Sequence, residues 1–159
     1  MIFVTLGSQK FQFNRLLRKI DMLVEEGVIK EEIFAQIGYS DYIPKHYSFK
    51  NFLDRDEFSE IMNKCDKIIT HGGTGAIIGA VKKNKKVIAV PRSSKFKEHV
   101  DEHQHEIVNE FSNMNLIYGV QDVVELDKAL YEINHIEFSQ YESHKENLME
   151  SIERFIEQF

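Results

Sequence analysis

Lys67-Ile68-Ile69-Thr70 runs straight into His71-Gly72-Gly73-Thr74-Gly75, and the stretch from Ala76 to Lys83 follows with Ile77, Ala80 and Val81 at helical spacing. A short apolar run ended by a glycine turn predicts a buried strand that feeds directly into a helix. A second apolar run, Val87 to Val90, comes soon after that helix and is stopped by Pro91. Strand, helix and strand in quick succession predict parallel neighbours, which need a crossover over one face of their sheet.

Outward from this unit the rhythm repeats. Upstream, Ile2 to Leu6 reads as a strand stopped by Gly7, and Phe13, Leu16, Leu17, Ile20, Leu23 and Val24 predict a helix ended by Gly27. Ile33 to Ile37 predicts a second strand, and Tyr47 to Leu53 a third, weaker one. Asp54, with Glu57 three residues on, forms a capping-box pattern ahead of Phe58, Ile61, Met62 and Cys65 on one helical face. Downstream, a helix is expected from about Asp101 to Asn113, a strand at Leu116 to Val120 and a helix at Val123 to Ile133. Leu148, Ile152, Phe155 and Phe159 mark a final amphipathic helix. The expectation is an α/β fold: a doubly wound, Rossmann-like parallel sheet of six strands in the order 3-2-1-4-5-6, with that C-terminal amphipathic helix. The 159 residues contain no repeat or linker, so residues 1–159 are read as one domain.

Composition excludes several classes of function. The net charge of −6 argues against nucleic-acid binding by bulk charge. The single cysteine, Cys65, excludes an internal disulfide framework and, lying on an apolar helical face, reads as core rather than nucleophile. No apolar run approaches the roughly 20 residues of a membrane span, and the N-terminal stretch lacks the pattern of a signal peptide. A cytoplasmic location follows as an expectation.

In an open parallel sheet, ligands bind beyond the carboxyl ends of the strands, where the strand order reverses. Three loops converge there: Gly7-Ser8-Gln9, His71 to Gly75, and Pro91 to Glu102. The His71-Gly72-Gly73-Thr74-Gly75 turn at a helix start favours an anion, typically a phosphate, because backbone N–H groups and the helix dipole point at it. It matches neither GxGxxG nor the P-loop. The third loop brings Arg92, which could offer a fork to phosphate, and His99, Asp101, His103 and Gln104, whose donors and acceptors suit sugar hydroxyls. Seven basic residues lie between Lys82 and Lys97 with no acid among them, a strip suited to an anionic ligand or to lipid headgroups. His99-Val100-Asp101-Glu102-His103 also matches the inverted zinc-protease pattern H-x-x-E-H, which would put both histidines on one helical face.

The HGGTG turn, the Lys86-Val87-Ile88-Ala89-Val90-Pro91-Arg92 strand end and Glu98-His99-Val100-Asp101-Glu102-His103-Gln104 together resemble the family 28 glycosyltransferase C-terminal domain. The resemblance extends to the small catalytic subunits of two-component bacterial exopolysaccharide or capsule glycosyltransferases. These are similar to the soluble subunit of the split eukaryotic N-acetylglucosaminyltransferase and to the donor half of MurG. It implies the C-terminal half of a GT-B enzyme, binding a UDP-sugar without a metal or cofactor and working with a membrane-anchored acceptor-binding subunit on a lipid-linked saccharide. The chain would then sit at the inner face of the membrane through its partner. On this resemblance Gly7, Ser8, Gln9 and His71 to Gly75 approach the diphosphate, Phe52 and Leu53 read the uracil, and His103 and Gln104 hold the donor sugar. Relatives often place a ribose-gripping glutamate eight residues after the turn histidine, where this chain has Gly79. The implied chemistry is inverting transfer, with β-1,4-galactosyl transfer as the specific expectation and a general base supplied by the partner. A non-catalytic nucleotide-sugar-binding or assembly subunit is the alternative.

Overall fold

A computed structural model describes residues 1–141. The expected amphipathic helix around Leu148 to Phe159 lies outside the described residues. The elements run β1 (Ile2–Thr5), α1 (Asn14–Glu25), β2 (Ile33–Gln36), β3 (Ser48–Lys50), α2 (Arg55–Lys64), β4 (Lys67–His71), α3 (Thr74–Lys82), β5 (Lys86–Val90), α4 (His103–Asn113), β6 (Tyr118–Gly119) and α5 (Leu126–Glu132). Every strand pair is parallel, and the sheet order is β3-β2-β1-β4-β5-β6, as expected.

Alternation along the strands explains why both faces are covered. Ile2, Val4, Ile69, Ile88 and Val90 face one core, with Leu16, Leu17, Ile20 and Leu23 of α1 and Leu126, Ala129 and Leu130 of α5. Phe3, Ile68, Val87 and Ala89 face the other, with Met62 of α2, Ile77 and Ala80 of α3, and Val108 and Phe111 of α4. Each large side chain so buried stabilises the fold by about 1.5–3 kcal/mol. Cys65 belongs to the second core: it is 1% exposed, its Sγ donates to the Met62 carbonyl at 3.3 Å, and burial raises its pKa.

One local feature departs from the strand–helix rhythm. The β2–β3 crossover has no helix; Asp21 of α1 secures it instead. Asp21 is 4% exposed and accepts from Tyr42 Oη at 2.6 Å and from the Lys45 and His46 N–H groups, each at 2.9 Å. The same hydrogen bond pushes the Tyr42 hydroxyl pKa up to about 12. The capping box at α2 forms as expected, with the Asp54 carboxylate accepting from Glu57 N–H and the Glu57 carboxylate from Asp54 N–H.

Candidate functional site

The carboxyl ends of β1, β4 and β5 meet where the strand order reverses, and their loops build one mouth. Thr70 Oγ1 donates to the Thr5 carbonyl at 3.0 Å, tying the last turns of β1 and β4 together. Immediately beyond, Gly7 takes φ +74°, and the exposed Ser8 and Gln9 carry the chain outward.

His71 is the keystone of this junction. It is 6% exposed, and its ring lies against both Gly7 and Gly73. A Cβ at Gly7 would fall 2.7 Å from Nε2, and one at Gly73 would fall 2.1 Å from Cε1. A Cβ at Gly72 would meet Gln104 Cβ at 2.7 Å. The glycines expected to admit a ligand thus first admit the protein's own His71 and Gln104. Burial, the Arg92 charge and His99 push the His71 pKa down to about 3, so the ring is neutral.

A histidine whose folded pKa is depressed resists protonation that the unfolded chain accepts near pH 6.5. Stability should therefore fall as pH drops below that value toward 3. Between about pH 6 and pH 4 this one group adds a slope of about 1.4 kcal/mol per pH unit. Denaturant titrations of the wild type and His71→Gln across that range should differ by this slope; parallel lines would show that His71 accepts a proton in the folded state.

The helix leaving the turn begins at Thr74, earlier than the periodicity suggests. Its N-cap is Gly73, with no side-chain cap hydrogen bond. Gly75 and Gly79 are exposed, and a Cβ at either would meet nothing within 4 Å. The start of α3 therefore presents N–H donors and open space together.

The loop after β5 is held in place before any ligand arrives. Glu98, 1% exposed, takes a bidentate bond from Arg15 at 3.0 Å to each oxygen and also accepts from Ser93 N–H at 3.0 Å. Gln12 Nε2 donates to the Phe96 and Lys97 carbonyls at 3.0 and 3.2 Å. The Glu102 carboxylate gathers Ser93 Oγ and both the N–H and Oγ of Ser94, and these bonds bring its pKa down to about 2.

Sugar-facing candidates divide into two groups. Asp101 accepts from His103 N–H at 3.0 Å, while its oxygens lie 3.1 Å from His99 Nδ1 and 3.3 Å from His103 Nδ1. His99 also packs on Phe11, with ring centroids 4.8 Å apart. These three polar side chains are partly open to solvent at the mouth. Gln104 is not: it is 5% exposed, and its Oε1 accepts from Gly72 N–H at 3.1 Å and Arg92 N–H at 2.9 Å. Its carbonyl braces two loops rather than facing a ligand. Arg92, expected to fork onto phosphate, is 1% exposed and lies inside the protein.

The uracil candidates sit at the β3 end. Phe52 is 45% exposed and meets Tyr39 edge-on at 5.2 Å. The Leu53 N–H is already donated to Gln36 Oε1 at 3.0 Å. The zinc-protease geometry does not form: α4 starts only at His103, so His99 and His103 are not one turn apart on a helix. Among the described residues no three metal-ligating side chains form a cluster.

The basic strip is split by the fold. Lys82, Lys83, Lys85 and Lys86 lie at the end of α3 and the start of β5, at the end of the sheet opposite the mouth, while Lys95 and Lys97 belong to the loop after β5. Lys85 is tied to the Cys65 carbonyl at 2.7 Å and Lys86 to the Ile133 carbonyl at 3.0 Å, leaving Lys82 and Lys83 exposed. No helix among the described residues is long and apolar enough to cross a membrane.

Comparison with known proteins bears on the family and the fold. The chain is 26% identical over 112 residues to the UDP-N-acetylglucosamine transferase subunit ALG13 of Candida glabrata, covering 68% of this chain and 52% of that one. It thus spans about half the length of that relative. The solution structure of ALG13 superposes with a TM-score of 0.62 at 17% identity, covering 95% of this chain and 94% of that one. The glycotransferase of kitacinnamycin gives 0.59 at 14%, covering 98% and 38%. Acinetobacter baumannii MurG gives 0.57 at 13%, covering 82% and 40%. At such identities these structures establish a shared Rossmann-like fold, that of a GT-B C-terminal half. The model of the glycosyltransferase family 28 C-terminal domain matches residues 1–159, and the chain belongs to that family.

Proposed function

We propose that this chain is the donor-binding, catalytic subunit of an inverting UDP-sugar glycosyltransferase whose acceptor-binding half is a separate, membrane-anchored chain. The observation that carries this reading is the uncapped start of α3 at a mouth built by three loops at the sheet's switch point. In transfer the nucleoside diphosphate leaves, and negative charge grows on its phosphate oxygens. Backbone N–H groups at the start of α3, already aimed and aided by the helix dipole, offset that charge with no metal. Asp101 orients the His99 and His103 rings, which offer polar contacts to the sugar. The base that takes the acceptor proton comes from the partner, so the chain alone turns over little. We further place the acceptor among lipid-linked saccharides of capsule or exopolysaccharide synthesis, with galactose as the sugar moved. The function of the Candida relative supports the split-enzyme reading and makes UDP-N-acetylglucosamine the donor to test beside UDP-galactose.

Calorimetry with UDP tests the binding half of this reading, and a UDP-sugar screen on the chain co-expressed with its acceptor subunit tests the chemical half. Absence of UDP association in both settings would end the proposal. Binding without turnover of any UDP-sugar would leave an assembly subunit.

Gly79 offers a finer test. It is exposed on the same face of α3 as Gly75, with open space around it. A carboxylate there would reach a ribose placed along that face. Gly79→Glu is expected to tighten UDP binding about tenfold, the worth of one hydrogen bond to a charged group. Unchanged or weaker binding in calorimetry would move the ribose off this face.

A further inference from the structure

Arg92 is a buried charged group that the proposed chemistry leaves without a role. Its Nη2 donates to the Leu6 carbonyl at 2.9 Å and the Phe11 carbonyl at 3.2 Å. Its Nε and Nη1 are buried and have no hydrogen-bond partner among the described residues. The guanidinium lies 5.5 Å from the Phe13 ring centroid. The acid near it, Glu98, is bonded to Arg15 through both oxygens and gives Arg92 attraction at a distance only. Burial lowers the Arg92 pKa to about 10, which still leaves the group charged at neutral pH.

Taking a cation out of water without a contacting carboxylate costs several kcal/mol. Methionine would fill similar space without that cost, so packing alone does not account for an arginine here. Its location does. Arg92 follows β5 at the mouth and fastens the carbonyl just ahead of Gly7. Its charge is also felt at His71, whose ring lies against Gly7 and Gly73. The underside of the mouth is therefore positive before a ligand arrives.

Resting on the reading that a nucleoside diphosphate binds there, we infer that Arg92 is an electrostatic positioning residue. It fastens the loop after β1 and keeps beneath the mouth a fixed positive charge that is offset when an anionic diphosphate binds. It acts through space and through that loop, not by contact.

The inference separates charge from packing. UDP and uridine share a base and ribose, and only UDP carries phosphates. Calorimetry on the full-length wild type, Arg92→Met and Arg92→Lys should show Arg92→Met losing UDP affinity about tenfold or more, the scale of a lost charge at partly screened distance. Its uridine affinity should stay within about twofold, and Arg92→Lys should keep most of the UDP preference. Should Arg92→Met not fold, Arg92→Gln against Arg92→Lys makes the same comparison of charge lost and charge kept. Equal loss of UDP and uridine affinity, or a UDP-to-uridine ratio unchanged from wild type, would overturn the inference alone. A wild type that binds no UDP would overturn the diphosphate reading beneath it.

Discussion

Gln104→Ala is expected to unfold at a temperature about 6–12 °C below the wild type, from a loss on the order of 3 kcal/mol. The side-chain carbonyl of Gln104 accepts two buried donors, the N–H groups of Gly72 and Arg92. Alanine leaves both without a partner, and each buried orphan costs about 1–3 kcal/mol. The consequence is functional as well as structural, because Gly72 belongs to the turn that starts α3 and Arg92 heads the loop after β5. Releasing them loosens two of the three loops of the mouth at once. His103→Ala makes the contrast. His103 is partly exposed and begins α4, so its loss should change the melting temperature by only a few degrees while lowering transfer by the reconstituted pair. Thermal unfolding and UDP calorimetry on both variants separate the two roles. If Gln104→Ala melts with the wild type, the brace has no weight and Gln104 returns to the list of direct ligand contacts.

The sheet is legible because most of its strands are short, apolar and spaced by helices; only β3, polar at both ends and reached without a helix, departs from that rhythm. The three-loop mouth follows from the strand order alone, since ligand position in a doubly wound sheet is a property of topology. What stayed hidden was which polar side chains face inward. Asp21, Gln36, Glu98 and Gln104 are buried polar residues that act by satisfying main-chain donors. Apart from Ser93, five residues from Glu98, these donors lie 12 or more residues away in sequence, and little local distinguishes the four from surface residues. Asp21 alone carried a signal: it falls on the apolar side of α1, four residues after Leu17. Arg92, at a strand end beside the mouth, suggests a phosphate fork from sequence; its side chain turns inward, to the carbonyls of Leu6 and Phe11. The glycines serve a second purpose that their pattern does not reveal: much of the room beside Gly7, Gly72 and Gly73 is taken by an imidazole and an amide.

That last point sets up a sharp comparison within one turn. Gly73→Ala should destabilise the protein by about 1–3 kcal/mol, the range for forcing an atom into a packed site. Its backbone is ordinary, with φ −81° and ψ 128°, so no left-handed strain is involved and the main cost comes from contact. The new Cβ would lie 2.1 Å from Cε1 of His71. The ring cannot easily retreat, because Gly7 closes its other side and carries a φ of +74° that fixes the loop there. Gly75→Ala, two residues on, meets nothing within 4 Å and sits inside α3. Helical alanine over glycine should raise stability there by about 0.5–1 kcal/mol. Gly75 lies within α3, where propensity favours alanine, whereas Gly73 is the N-cap, where glycine is itself preferred over alanine by a fraction of the expected cost. The cause can be assigned by adding His71→Ala: in that background Gly73→Ala should lose most of its cost, a coupling of at least about 1 kcal/mol in a double-mutant cycle. Were the two glycine variants equally tolerated, His71 would not be wedged at this junction. The neutral, buried state of its ring, which depends on that wedge, would go with it.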